Sequence, residues 1–230
     1  MTPVEGLGAE AGRVRVRAMF AGTPPALREI PIASAELAGR CGRPGVPDES
    51  LLVSADGGIR NVVIELSLAS GGEAPEAPAE PEVADQRGCL FTRHVSVIRA
   101  GTTVRFANTE GSEAHNVSIA ARRAGNQGGL NQMVQPGADL PLRFATPERI
   151  TVSCTVHPWM KSYVCVTDAA HFALTGEDGA ALLEGIPPGV YEVKVWHEPV
   201  ERFRFDLAAA GTLEVRGGHE TLLTVEMKAK

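Results

Sequence analysis

The stretch Thr151-Val-Ser-Cys154-Thr-Val-His157-Pro-Trp-Met160-Lys-Ser-Tyr-Val-Cys165 reads as strand, short loop, strand. Its loop carries a thiol, an imidazole and a thioether within seven residues: Cys154, His157 and Met160. That set is poor for zinc, which prefers Cys, His and carboxylate. It suits copper cycling between Cu(I) and Cu(II), with thiolate and imidazole as strong ligands and a thioether as a weak axial one. Such a site needs a second histidine from elsewhere, and His115 is the candidate. The 39 residues from 115 to 154 are enough for several strands of a sandwich, so the two ligand segments can meet at one end of a β scaffold.

The rest of the chain supplies that scaffold. Gly 25 and Pro 16 punctuate short Val/Ile/Thr/Leu runs in 230 residues, which points to an all-β protein with many turns. Arg13–Phe20 alternates charged and apolar residues, the period of a half-buried strand. Arg28–Ala33 reads as an edge strand, Ser34–Arg40 as a short helical turn, and Leu51–Ser54 and Asn61–Ser67 as strands around Asp56-Gly-Gly58. Residues 69–86 are rich in Pro, Glu and Ala and read as a solvated linker. Strands are expected at Cys89–Ile98, Thr103–Asn108, from His115 to Ile119 and at Leu140–Phe144, with a long loop over 121–138. Beyond Thr167, short strands and tight turns indicate a small β-sandwich of about 60 residues, near the lower limit for independent folding, which must lean on what precedes it.

The composition excludes several classes. A net charge of −6 argues against a nucleic-acid binder. No run approaches the roughly 18 apolar residues that span a membrane, and the first residues lack the pattern of a signal peptide. The chain is therefore expected to be cytoplasmic or a mature extracytoplasmic form. Six His without a His-x-His disfavour a catalytic copper cluster, and no phosphate loop or Ser-His-Asp signature stands out.

Residues 89–166 resemble a cupredoxin, a type 1 (blue) copper domain. The loop Cys154-Thr-Val-His157-Pro-Trp-Met160 is similar to the short ligand loop of the amicyanin type, and His115-Asn116 matches the family's upstream His-Asn pair. The resemblance implies a Greek-key sandwich with His115, Cys154 and His157 as equatorial ligands, Met160 as axial ligand, and Asn116 tying the ligand loops together. It implies a periplasmic or otherwise extracytoplasmic electron carrier, not an enzyme. It also places the ring edge of His157 at the surface as the electron port, so that redox partners would dock near His157, Pro158 and Trp159. Trp159 could equally be packing over the site. Residues 168–228 resemble the carboxypeptidase regulatory-like (transthyretin-like) domain through Phe172–Gly179 and Leu183–Trp196. This is evidence for fold more than function.

The expected organisation is an N-terminal β segment (12–68), the linker (69–86), a cupredoxin domain (87–167) and a carboxypeptidase regulatory-like sandwich (168–230). Of the four Cys, Cys41 and Cys89 flank the linker and are expected to bridge, with two free thiols as the alternative. Cys165 alternates along a strand and reads as a buried core thiol. His94 is expected on a strand surface or near the site without ligating. Trp196-His197-Glu198 is expected as a packed strand end, not a second metal site. The competing functional reading is a copper-binding or structural adhesion module with no electron-transfer role.

Overall fold

The computed structural model describes residues 10–72, 75–200, 203–206 and 211–229. They run through β1 (Gly12–Phe20), β2 (Glu29–Pro31), α1 (Ala35–Arg40), β3 (Gly45–Pro47), β4 (Val63–Leu68), β5 (Glu82–Gln86) and β6 (Val95–Arg99). Then come β7 (Thr103–Asn108), β8 (His115–Ala120), β9 (Asn131–Val134), β10 (Asp139–Arg143), β11 (Glu148–Ser153) and β12 (Lys161–Thr167). The chain closes with β13 (His171–Leu174), β14 (Ala180–Ile186), β15 (Gly189–Trp196), β16 (Phe203–Asp206), β17 (Thr212–Val215) and β18 (Glu220–Ala229). The protein is all-β, as its turn-rich composition implies. Among the described residues no helix is long and apolar enough to cross a membrane.

The strands divide into two units. The first is built from the chain's two ends and a middle piece: Met1–Pro25, Leu52–Glu73 and Ala169–Lys230. Its sheets have the orders β14-β1-β18-β16 and β13-β4-β15-β17. In β1, Val14, Val16 and Ala18 are buried and Arg13, Arg15 and Arg17 exposed, as period-2 patterning demands. β4 is buried along Val63–Leu66 because it lies between β13 and β15. Tyr191 is fully buried, and its hydroxyl donates to the Pro187 carbonyl at 2.8 Å. The turn at Gly58 runs against the turn at Gly179 so closely that a Cβ on Gly58 would lie 2.0 Å from the Asp178 carbonyl oxygen.

The second unit is Ala26–Leu51 with Ala74–Asp168. A three-stranded sheet, β10-β7-β5, and a five-stranded sheet, β6-β12-β11-β8-β9, contribute Val104, Phe106, Val117, Phe144, Ile150 and Val152 to one buried cluster. Phe106 and Phe144 meet edge to face with ring centroids 6.3 Å apart. The hairpin β2–β3 and α1 add Ile32, Cys41 and Val46 to the same cluster. Ser34 caps α1, its hydroxyl accepting from the Leu37 N–H at 3.2 Å.

Three features differ from the sequence reading. The stretch 12–68 is shared between the units: β1 and β4 lie in the first, α1 and the β2–β3 hairpin in the second. The C-terminal strands are too few to close a core, and β1 and β4 complete both of their sheets. Within the expected linker, Glu82–Gln86 forms β5, paired parallel to β7 from Glu82↔Val104 to Gln86↔Asn108. Ala84 and Gln86 point inward there, so a period-2 segment lay inside the Pro/Glu-rich run. The long loop over 121–138 contains β9, whose pairing with β8 sets Met133 opposite Asn116.

Candidate metal centre

β8 and β11 are antiparallel neighbours, with Ser153 opposite Ser118. Extending that register beyond Ser153 brings Cys154 and Thr155 alongside Val117 and Asn116, at the end of the sheet where β8 starts with His115. The sandwich thus delivers both ligand segments to one place. The loop from β11 to β12 is closed on itself: the Cys154 N–H donates to the Met160 carbonyl at 3.1 Å, and the Met160 N–H to the His157 carbonyl at 2.8 Å. Asn116 clamps the segments together. Its Oδ1 accepts from the Thr155 N–H at 2.6 Å, its Nδ2 donates to Asn131 Oδ1, and its backbone N–H donates to Cys154 Sγ at 3.5 Å.

Three donor atoms converge. His115 Nδ1 and His157 Nδ1 lie 3.0 Å apart, and Cys154 Sγ lies 3.7 Å from His157 Nδ1. One ligand atom from each of these residues falls within 4.8 Å of the others. With bonds of about 2.0 Å to nitrogen and about 2.3 Å to sulfur, such separations correspond to angles of about 100° and about 120° at a shared ion. Those two separations suit donors that share one ion. His115 and His157 are 0% exposed, Cys154 2% and Met160 1%. Met160 belongs to the same buried cluster as Cys154 and is tied to it through the backbone bond above.

The electrostatics keep the imidazoles available. Burial pushes the His115 pKa down, against an upward pull from Glu110. Burial, then the neighbouring His115, pushes His157 down as well. Both rings are neutral near pH 7, the form that binds metal. Their outer nitrogens have poor partners. His115 Nε2 is buried without a hydrogen bond, with Glu110 Oε2 at 3.8 Å. His157 Nε2 faces Cys89 Sγ at 3.7 Å. Beside them Glu113, 3% exposed, takes a two-pronged ion pair from Arg40, with Nε to Oε1 at 2.7 Å and Nη2 to Oε2 at 2.5 Å. Those bonds hold the Glu113 carboxyl below its usual range, so it stays ionised.

Cys41 and Cys89 form a disulfide, S–S 2.05 Å, across a separation of 48 residues. Their sulfurs also lie near His157, but a disulfide offers no thiolate to a metal. The expected exposure of His157 needs correction. The ring is completely buried because Cys41, at the end of α1, is bridged to Cys89 on its Nε2 side. Pro158 is exposed and Trp159 half-buried. The Trp159 indole N–H donates to the Cys89 carbonyl at 2.9 Å, and its ring centroid lies 5.4 Å from that of His157. Trp159 therefore packs over the site.

The remaining candidates stand apart. Cys165 is a fully buried thiol on β12, outside the disulfide. His94 packs on Tyr163 and lies 3.8 Å from Glu49, outside the groups of converging metal donors among the described residues. His197 is buried in the first unit, with Nδ1 2.9 Å from the Glu198 carbonyl. Sequence reasoning missed Arg40, Glu110 and Glu113. Two acids in the loop that leads into His115 were the only available sign.

No family model matches the chain, and no curated protein matches it. Among solved structures, it is similar to a Cu(I) form of an amicyanin variant at 23% identity, covering 45% of this chain and 99% of that one with a TM-score of 0.34. An oxidized amicyanin variant aligns at 24% identity over 45% of this chain and 99% of that one, TM-score 0.35. A copper-containing nitrite reductase from Thermus scotoductus SA-01 aligns at 20% identity over 45% of this chain and 25% of that one, TM-score 0.35.

Proposed function

We propose that the chain is a type 1 copper protein that carries single electrons between redox partners, with His115, Cys154, His157 and Met160 as ligands. The observation that carries this reading is the convergence of His115 Nδ1, His157 Nδ1 and Cys154 Sγ out of contact with solvent, with Met160 buried in the same loop. Bound copper would supply a one-electron couple between Cu(I) and Cu(II). The protein's own residues do the rest. The two neutral imidazoles and the thiolate are fixed by the closed 154–160 loop and the Asn116 clamp, so the donor set moves little when charge changes. The Asn116 N–H points at the Cys154 sulfur and tempers its basicity. Burial keeps water from adding as a further ligand. The disulfide supports an oxidising, extracytoplasmic location. Partners meet the exposed Val156 and Pro158 before any part of His157. The first unit is read as an accessory domain of the carboxypeptidase regulatory-like kind.

Absorption and EPR spectra of the copper-loaded protein test this. Intense visible thiolate-to-copper charge transfer is expected, and Cys154→Ser should abolish it. A colourless Cu(II) complex, or wild-type colour in the serine variant, sinks the proposal. The complete burial of His157 favours one competing reading, in which copper is held without exchange. A reversible one-electron couple in voltammetry decides against that, and its absence decides for it.

A further inference from the structure

We infer that residues 26–51 cap the proposed copper site, and that an electron crosses the capped end through Trp159. The inference rests on the copper reading above. The cap is held in several ways. Cys41 follows α1 directly and is bridged to Cys89, whose sulfur lies 3.7 Å from His157 Nε2. Arg40, one residue earlier, grips Glu113 in the loop that leads into His115. Ile32, Cys41 and Val46 enter the same buried cluster as Cys154 and Met160, with Leu37 and Ala38 packed against it. The result is that neither imidazole has any exposed surface.

An imidazole edge sealed in this way cannot touch a partner. Trp159 lies against His157 and keeps part of its own surface in solvent. Its ring lies 5.4 Å from the His157 ring and is half-buried, and its N–H is tied to the Cys89 carbonyl. It is a positioning residue: it ties the ligand loop to Cys89, the residue to which the cap is bridged, and lays a conjugated ring along the way out. The step itself is simple. One electron leaves the reduced site for an external one-electron oxidant, no bond forms or breaks, and the indole is neither oxidised nor reduced overall.

The test has two arms on the full chain. In the first, metal-free protein is treated with diethyl pyrocarbonate, which carbethoxylates accessible histidine, and the sites are mapped by mass spectrometry. Exposed His219 should react and His157 should not. In Cys41→Ser/Cys89→Ser, His157 should react at least roughly tenfold faster, because freeing the cap permits local opening. Unchanged protection of His157 in the folded variant overturns the cap. If the serine pair does not fold, Arg40→Ala keeps the disulfide and carries the same test with a smaller rise. In the second arm, reduced copper-loaded protein is mixed with hexacyanoferrate(III). Trp159→Leu should slow oxidation several-fold with an unchanged absorption spectrum, while Trp159→Phe, which restores a ring, should recover most of the rate. An unchanged rate in Trp159→Leu overturns the route. Failure of the copper reading looks different: wild type itself would lack the charge-transfer band, whatever the histidine map shows.

Discussion

Removing the side chain of Asn116 isolates the scaffold's share of the site. Asn116→Ala deletes the acceptor for the Thr155 N–H, a bond of 2.6 Å, and the bond to Asn131. It leaves the Asn116 N–H to Cys154 Sγ in place, since that bond is made by the backbone. Asn131 is exposed and can turn to water, so its loss is small. Asn116 itself is only 2% exposed, and the Thr155 N–H is left facing a part-buried hole. An intramolecular hydrogen bond is worth about 1 kcal/mol net, and a buried donor left without a partner costs about 1–3 kcal/mol. The expected loss is therefore about 1–2 kcal/mol in the metal-free protein, the lower part of that range because Thr155 itself is exposed. The assay is denaturant unfolding followed by tryptophan fluorescence in a Trp196→Phe background, so that Trp159 reports on the second unit alone. The copper-loaded variant should also release its metal to a chelator faster, because the two ligand segments are no longer clamped. A loss below about 0.5 kcal/mol, with unchanged release, would show that the sheet alone positions the loops and that the clamp argument is wrong.

Three further outcomes follow from the same geometry. Cys41→Ser/Cys89→Ser should lower stability by up to about 4 kcal/mol on the loop-entropy account for a 48-residue separation; denaturation that matches wild type would show that the bridge constrains nothing. Metal-free protein should lose stability as pH falls from 7 towards 5. Burial holds the folded His115 and His157 below the ordinary value of 6.5, so below that pH the unfolded chain binds more protons than the folded one. Denaturation midpoints measured across this range check the sign, and a midpoint that rises on acidification contradicts it. Gly58→Ala should destabilise the first unit by more than about 2 kcal/mol, because the new Cβ meets backbone atoms of Asp178 and Gly179 that cannot step aside. Unfolding followed by Trp196 fluorescence tests it, and a neutral effect would mean that the two turns separate at little cost.

The meeting of His115, Cys154 and His157 was legible because most of its chemistry is local. Cys154, His157 and Met160 sit in one loop, and the structure brings His115 Nδ1 within 3.0 Å of His157 Nδ1. Asn116 occupies the clamping position that the family resemblance implied. The burial of His157 was not legible: the Cys41–Cys89 bridge was expected, but nothing in the sequence set it against His157 or paired Arg40 with Glu113. Nothing in Ser34–Cys41 marks it as a lid; a capped helical turn looks the same wherever it packs. The sharing of 12–68 between two units was hidden for a related reason. The alternation in Arg13–Phe20 states that one face is buried but not against what, and any sandwich strand carries the same period. β5 was masked by its surroundings, since a five-residue strand makes little impression in a run of Pro and Glu.

The place of β1 has a consequence for how the polypeptide is made. It is an inner strand, set between β14 and β18, and it runs parallel to β18 with Arg13 opposite Glu220, 207 residues further on (13 to 220). β1 leaves the ribosome well before β18 and must therefore wait for it before its sheet can close, while every strand of the second unit, all lying between the two in sequence, has already emerged. Val14, Val16 and Ala18 lack that partner, and stay open to water and to other nascent chains, until β18 is made. Arg13, Arg15 and Arg17 stand between them and interrupt the apolar run with charge. In the finished protein these arginines line a solvent face; in the unpaired strand the same charges are of the kind that discourages edge-to-edge joining.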